Sequence, residues 1–231
     1  MEPQVLSYLE MCSRERVNLQ AGMNFRLGGH YSVILMSVRS NAPYRDALLD
    51  DGTTLIYEGH DLPKTNAAID PKALDQPERT SAGTPTQNGK FHEAAQQAKA
   101  GKRPPELVRV YEKIRSGIWA DNGLFELIDS WTEHDGKRNV FKFKLAAIEE
   151  DLEGLEGRVL HEHSQRRRLI PTQVKLEVWK RDGGKCVRCG AADELHFDHV
   201  IPYSRGGTSL SADNIQLLCA RHNIAKRDNI E

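Results

Sequence analysis

Cys186-x-x-Cys189 and, farther along, Cys219-x-x-His222 make a four-ligand set of soft and borderline donors. Each pair sits on a tight turn that converges its two side chains on one ion. A closed shell of three thiolates and one imidazole is what a structural zinc site needs. Between and just after the pairs lie Asp198-His199, Asn214 and Asn223. A hard oxygen ligand beside a histidine, on a metal-stapled frame, points to a divalent cation and a general base working together. The alternative is a plain zinc ribbon with His199 as one more surface histidine. Against it, the ligand pairs enclose Asp-His together with Pro202, the Gly206-Gly207 turn and Asn214, a combination that chance explains poorly.

These residues resemble the HNH endonucleases, in their zinc-bound ββα-metal form, from about Leu169 to residue 231. The resemblance implies that His199 is the general base and that Asn214 braces it. It makes Asp198 a ligand of the catalytic Mg²⁺ or Mn²⁺. Asn223 stands where the family has its final histidine and is read as the second ligand of that cation. His222 goes to the structural Zn²⁺ with Cys186, Cys189 and Cys219. Arg166, Arg167 and Arg168, just before this module, and Lys226 within it are read as phosphate contacts.

Composition bounds what must position them. The chain has 231 residues, 39% of them hydrophobic, and a net charge of −1, which allows one large domain or two small ones. The balance is uneven: residues 158–231 carry 13 Lys+Arg against 9 Asp+Glu, so the basic excess lies with the nuclease-like part. Three of the four cysteines belong to the metal set, and Cys12 is left over, so no disulfide framework is indicated. No apolar run reaches 18 residues, and the expected setting is a soluble, cytoplasmic protein with no membrane partner.

Along the chain, the apolar spacing in residues 3–17 predicts an amphipathic helix, followed by a turn at Gly28-Gly29. Strands are expected at Tyr31–Val38, Thr53–Tyr57, Leu107–Ile114, Gly123–Trp131 and Val140–Leu145, with a helix at Lys90–Ala100. That order argues for an antiparallel, strongly curved sheet or barrel with helices alongside. A second helix is predicted over Gln173–Lys180. Trp119 and Trp131 read as core or interface residues.

The motif order of the first part resembles the SRA domain of the PUA-like superfamily, a reader of modified cytosine. The likeness rests on DDGTTLIYEG (50–59), Asp75-Gln76, the alanine-rich stretch 84–98, and the blocks GKRPPELVRVYEKI, ADNGLFELIDSWTE and FKFKL. It implies capture of a flipped base: aromatic faces to stack it and a carboxylate to accept from the cytosine amine. At matching positions Tyr44 and Tyr57 form the stacking pair and Asp46 is the acceptor, with Asp50 or Asp51 as alternative carboxylates. The backbone at Glu58 and Gly59 would face the base edge.

The resulting expectation is an α+β chain. Residues 1–150 form an SRA-like curved barrel, 151–168 a linker, and 169–231 a small zinc-stapled HNH domain. Its expected activity is endonucleolytic cleavage of double-stranded DNA that carries 5-methylcytosine or 5-hydroxymethylcytosine, performed by a homodimer. A non-catalytic reader of modified DNA, and an HNH nuclease with a PUA-like domain for RNA or structured DNA, are the other readings.

Overall fold

The computed structural model describes residues 3–19, 21–27, 30–63, 70–148, 169–226 and 229–230. The expected Gly28-Gly29 turn, the linker 151–168 and Arg166–Arg168 lie outside the described residues. Ten strands and four helices are present among the described ones, and no helix is long and apolar enough to cross a membrane.

The chain starts as a strand where a helix was expected: β1 spans Gln4–Ser7, and α1 only Tyr8–Glu15. A local hydrogen-bond exchange sets that boundary. The Ser7 hydroxyl accepts from the Glu10 N–H at 3.3 Å, and the Glu10 carboxylate accepts from the Ser7 N–H at 2.7 Å. This capping box fixes the first helical turn after Ser7 and leaves Val5 and Leu6 free to be buried from a strand.

Then follow β2 (Met23–Asn24), β3 (Ser32–Met36), β4 (Ala47–Leu48) and β5 (Thr54–Glu58). Helix α2 (Gln87–Lys99) precedes β6 (Glu106–Arg115), β7 (Ile118–His134) and β8 (Asn139–Ala147). The last part holds α3 (Thr172–Arg181), β9 (Leu195–His199), β10 (Ile215–Cys219) and α4 (Ala220–Lys226).

One sheet contains every strand, in the order β10-β9-β1-β7-β6-β3-β2, with β8 on the far half of β7, then β5 and β4. β7 is long enough to serve two neighbours on one side: residues 118–121 pair with β1 and residues 125–134 with β8. Register shifts against β6 and β8 mark where it bends. The sheet departs from the antiparallel expectation at one place, since β3 and β6 run parallel. A parallel pair needs a crossover, and β4, β5 and α2 supply it. The curled sheet and α2 enclose one core, in which Phe91 and Ala95 meet Ile34, Tyr57, Phe125, Leu127 and Phe143.

A second core mixes the two halves of the sequence. Val5, Ile114 and Ala120 pack with Ile170, Val174, Val178, Phe197 and Leu217. Beside it lies a buried polar cluster. The Lys175 ammonium donates to Glu112 Oε2 and to Asn122 Oδ1, both at 2.6 Å, and Asn122 Nδ2 donates to Glu112 Oε2 at 2.9 Å. The Thr172 hydroxyl donates to the other Glu112 oxygen. Burial alone would raise the Glu112 carboxyl, but Lys175 and the two hydrogen-bond donors hold it below its ordinary value. Removing one partner of such a pair strands a buried charge. Lys175→Ala should therefore cost about 3–5 kcal/mol, read as a lower urea midpoint. A double change, Glu112→Leu with Lys175→Met, should recover most of it.

Candidate functional site

Cys186, Cys189, Cys219 and His222 present ligand atoms that all lie within 4.8 Å of one another. Cys189 Sγ is 3.8 Å from Cys219 Sγ, and His222 Nδ1 is 3.4 Å from Cys186 Sγ and 3.3 Å from Cys219 Sγ. A tetrahedron with metal–sulfur bonds of about 2.3 Å has edges of about 3.8 Å, so the four donors already stand at metal-binding separation. The first pair is shaped by a tight turn. Cys186 N donates to Ala191 O at 2.7 Å, Gly190 N donates to Cys186 O at 2.8 Å, and Gly190 takes a positive φ of 76°. Burial pushes the Cys186 thiol up, but backbone N–H groups at Cys219, Cys189 and Arg188, with His222, overcome it and bring it down to about 6. Thiolate at neutral pH is the ligand form.

Above this cluster β9 and β10 form a five-residue antiparallel ladder that ends in the pair His199↔Ile215. Asp198 and His199 are 4% and 6% exposed. Ser209, itself buried, brings its hydroxyl to 2.9 Å from His199 Nε2. Asp198 Oδ2 accepts from Gln216 Nε2 at 3.2 Å and pairs with the Lys226 ammonium at 3.1 Å.

Two assignments change here. Lys226, expected to contact phosphate, is 2% exposed and donates to the His199 carbonyl at 2.6 Å. Its stem lies in the core of the module and its charge is turned inward to Asp198. Asn214, expected to brace His199, holds the following loop instead. Its amide oxygen accepts from Ile201 N at 2.9 Å, and its amide nitrogen donates to Ile201 O at 3.1 Å and Thr208 O at 2.9 Å. A Cβ on Gly207 would fall 1.7 Å from Ile201 O, so this closed loop requires glycine there. Asn223 is half-buried on α4, three residues before Lys226 and on the adjoining helix face. Asp198 and Asn223 offer a carboxylate and an amide oxygen, donor types that suit a hard divalent cation, and the Asp198 carboxylate is paired with the Lys226 ammonium.

In the first part of the chain, Tyr57 does not stack opposite Tyr44. His60 stands between them. Its ring stacks on Tyr44 at 4.7 Å and 10°, and its Nε2 lies 2.8 Å from the Tyr57 hydroxyl. Tyr57 is 2% exposed and donates to Gly22 O at 3.2 Å, tying β5 to the chain just before β2. It is a core strut, because a ring at that buried strand position has no open face. The Lys72 ammonium covers the Tyr44 ring, 3.8 Å from its centroid. Burial drives the His60 imidazole down to about 4, so it is neutral at pH 7.

Asp46 accepts from Ser37 N at 3.0 Å and Glu58 N at 3.1 Å. Burial nevertheless lifts its carboxyl to about 7. The alternative, Asp51, caps the β5 turn through Thr53 and Thr54. The Glu58 carboxylate is buried on Lys142 at 3.0 Å. Its N–H is engaged by Asp46, Gly59 N donates to Phe141 O at 2.9 Å, and Gly59 O accepts from Gln76 at 2.6 Å. The expected base-edge contacts at Glu58 and Gly59 are therefore closed internally. Asn88 holds both backbone groups of His60, each at 2.8 Å. His60, Gln76 and Asn88 were missed as site residues; the signal available was a histidine directly after the Glu58-Gly59 strand end.

The HNH endonuclease family matches residues 186–229. Among solved structures the chain is similar to a modification-dependent restriction endonuclease, TagI, at 18% identity over 99% of this chain and 78% of that one, with a TM-score of 0.42. It is also similar to the SUVH5 SRA domain bound to hemi-methylated CG DNA, at 21% identity over 69% and 88%, with a TM-score of 0.41. No curated protein matches it.

The donor geometry generates one expected outcome. Elemental analysis should find one tightly held metal ion per chain. Cys219→Ser should lose it and melt the C-terminal part, because closure of such a shell contributes ~10 kcal/mol or more to folding. A Cys219→Ser protein with an unchanged melting profile would count against a structural metal.

Proposed function

We propose that the chain is a modification-dependent HNH endodeoxyribonuclease that binds modified cytosine in duplex DNA and hydrolyses a nearby phosphodiester. One observation carries the nuclease reading: the buried Asp198-His199 pair ends strand β9, at the other end of the β9–β10 ladder from Cys219 of the Cys3His cluster, inside the segment that the HNH family matches. A plain zinc ribbon has no use for a buried Asp-His pair with a dedicated serine and lysine. The reading of the first domain as a 5-methylcytosine or 5-hydroxymethylcytosine reader rests on the SRA-like motif order and on the grouping of Tyr44, Asp46 and His60.

In this reading His199 takes a proton from the attacking water, and the Ser209 hydroxyl at Nε2 holds the imidazole in one orientation. Asn214 keeps loop 201–208 closed behind it. Lys226 pairs with Asp198 in its buried position and anchors the His199 carbonyl. Asp198 and Asn223 would hold a Mg²⁺ or Mn²⁺ ion, which would supply charge neutralisation at the scissile phosphate and the leaving oxygen. The ion of the Cys3His cluster is Zn²⁺, closed by four protein ligands and structural only. Two copies about a twofold axis would present their centres to opposite strands and so make a duplex break.

At the reader pocket, the Tyr44 face beneath Lys72 is the stacking surface for a flipped base, and Asp46 accepts from its exocyclic amine. Asp46 must be ionised to accept without competing, and it titrates near neutral pH.

Digestion of one plasmid with and without cytosine modification tests the whole reading, with cleavage expected only of the modified form in Mg²⁺ or Mn²⁺. His199→Ala should lose at least a hundredfold in rate while it binds modified duplex as wild type does. Cutting within tenfold of wild type would remove His199 from the role of base. Affinity for modified duplex should rise about tenfold from pH 6 to pH 8, since only the ionised fraction of Asp46 is competent. Asp46→Asn should flatten that profile, and an equally steep profile in Asp46→Asn would place the pH-sensing group elsewhere.

A further inference from the structure

Three ties of different physical kind join the part of the chain that holds Tyr44 and Asp46 to the part that holds His199. The first is backbone. β1 pairs along Gln4–Ser7 with Asp121–Ile118 of β7, and on its other edge Gln4 pairs with His196 while Phe197 N donates to Pro3 O at 3.0 Å. The sheet thus runs unbroken from the base-pocket side to the catalytic strand. The second is apolar: Val5, Ile114 and Ala120 share one core with Val174, Val178 and Phe197. The third is the Glu112–Lys175 pair at 2.6 Å, with Lys175 wholly buried. A desolvated ion pair with two further hydrogen-bond donors tolerates little displacement, because any opening leaves charge unpaired in a low dielectric.

We infer that reader pocket and nuclease centre form one rigid body, with Glu112 and Lys175 as positioning residues, so that the cut falls at one fixed offset from the captured base. The inference rests on the proposed function. The linker at 151–168 then has no part in setting the reach; the docked faces do. DNA is stiff on this scale, with a persistence length of about 150 base pairs. A compact chain of this length has a radius of gyration of about 17 Å, and hence a diameter of about 45 Å. At about 3.4 Å per base pair, the offset is at most on the order of 13 base pairs.

The test maps the cut on an end-labelled duplex that carries a single 5-methylcytosine. Wild type is expected to give one dominant position on each strand. A variant with ten Gly/Ser residues inserted after residue 158 is expected to give the same position. A map that spreads over many positions in the insertion variant overturns the inference. Glu112→Gln with Lys175→Met removes both charges together and should broaden the map while affinity for the duplex is unchanged; a map as sharp as wild type overturns the role of the pair. A protease site placed within 151–168 supplies a readout that needs no cleavage of DNA. After nicking, the two fragments are expected to co-elute in gel filtration, and their separation overturns the docking. If wild type cuts no modified duplex yet the nicked fragments co-elute, the proposed function fails and the rigid body stands.

Discussion

A segment as short as 169–231 cannot bury enough apolar surface to hold the buried Asp198-His199 strand end in place by packing alone. That constraint explains much of the architecture. β9 and β10 are five residues each, and an isolated two-stranded hairpin is marginal in water. The module obtains the missing stability from two sides. The Cys3His cluster ties the turn at Cys186 to the end of β10 and to α4. The outer edge of β9 joins β1, so that a strand from the opposite end of the sequence completes its sheet. Without β1 that edge would be open backbone, a pairing hazard as well as a loss of rigidity.

The side of the sheet that holds Tyr44 and His60 shows a different economy of polar groups. Around Gly59 and His60 the backbone is held by the side chains of Gln76 and Asn88, so the loop is fixed before any ligand arrives. A Cβ on Gly59 would meet Gln76 Oε1 at 2.6 Å and Asn88 Oδ1 at 2.7 Å, which is why the position is glycine. What stays adjustable is the layer above: Lys72, side chain 42% exposed, rests on Tyr44 and pairs with Asp61 at 2.8 Å. An ammonium over a ring is a weak contact at an exposed site, of about 0.5–1 kcal/mol, and can yield to a larger planar group. Asp46 differs, since its carboxyl is anchored by two backbone donors yet carries a burial penalty large enough to bring its titration to about 7. A group in that condition gains from any ligand that donates to it.

Sequence alone carried the metal cluster and the Asp198-His199 pair, because ligand spacing along turns and strand ends is a local property. The central strands were legible for the same reason: Val33, Leu55, Val108, Phe125 and Phe143 lie in apolar or alternating runs. What failed was non-local. Residues 4–7 have helical spacing, but an open edge on β7 and another on β9 draw them into a strand, and the Ser7–Glu10 capping box starts the helix only after them. Tyr57 has the composition of a stacking residue, yet the curl of the sheet places it inside the core. Lys226 reads as a phosphate contact, and only the packing of α4 on β9 turns it inward. Charge patterning records how many ions a segment has and says nothing of which one the fold will bury.

Helix α4 shows how the two kinds of information meet. At seven residues it is too short to persist on its own. Its start is fixed by Cys219 and His222, which belong to the metal cluster, and its end by Lys226 on Asp198 and the His199 carbonyl. Asn223 lies between those two anchors. The cluster therefore does more than stabilise the module: it sets the rotation of α4, and that rotation turns Lys226 onto Asp198. A buried carboxylate is costly without a nearby cation. Lys226 places a positive charge 3.1 Å from Asp198. The Cys3His donors, the register of α4 and the placement of Lys226 on Asp198 are then successive links of one chain.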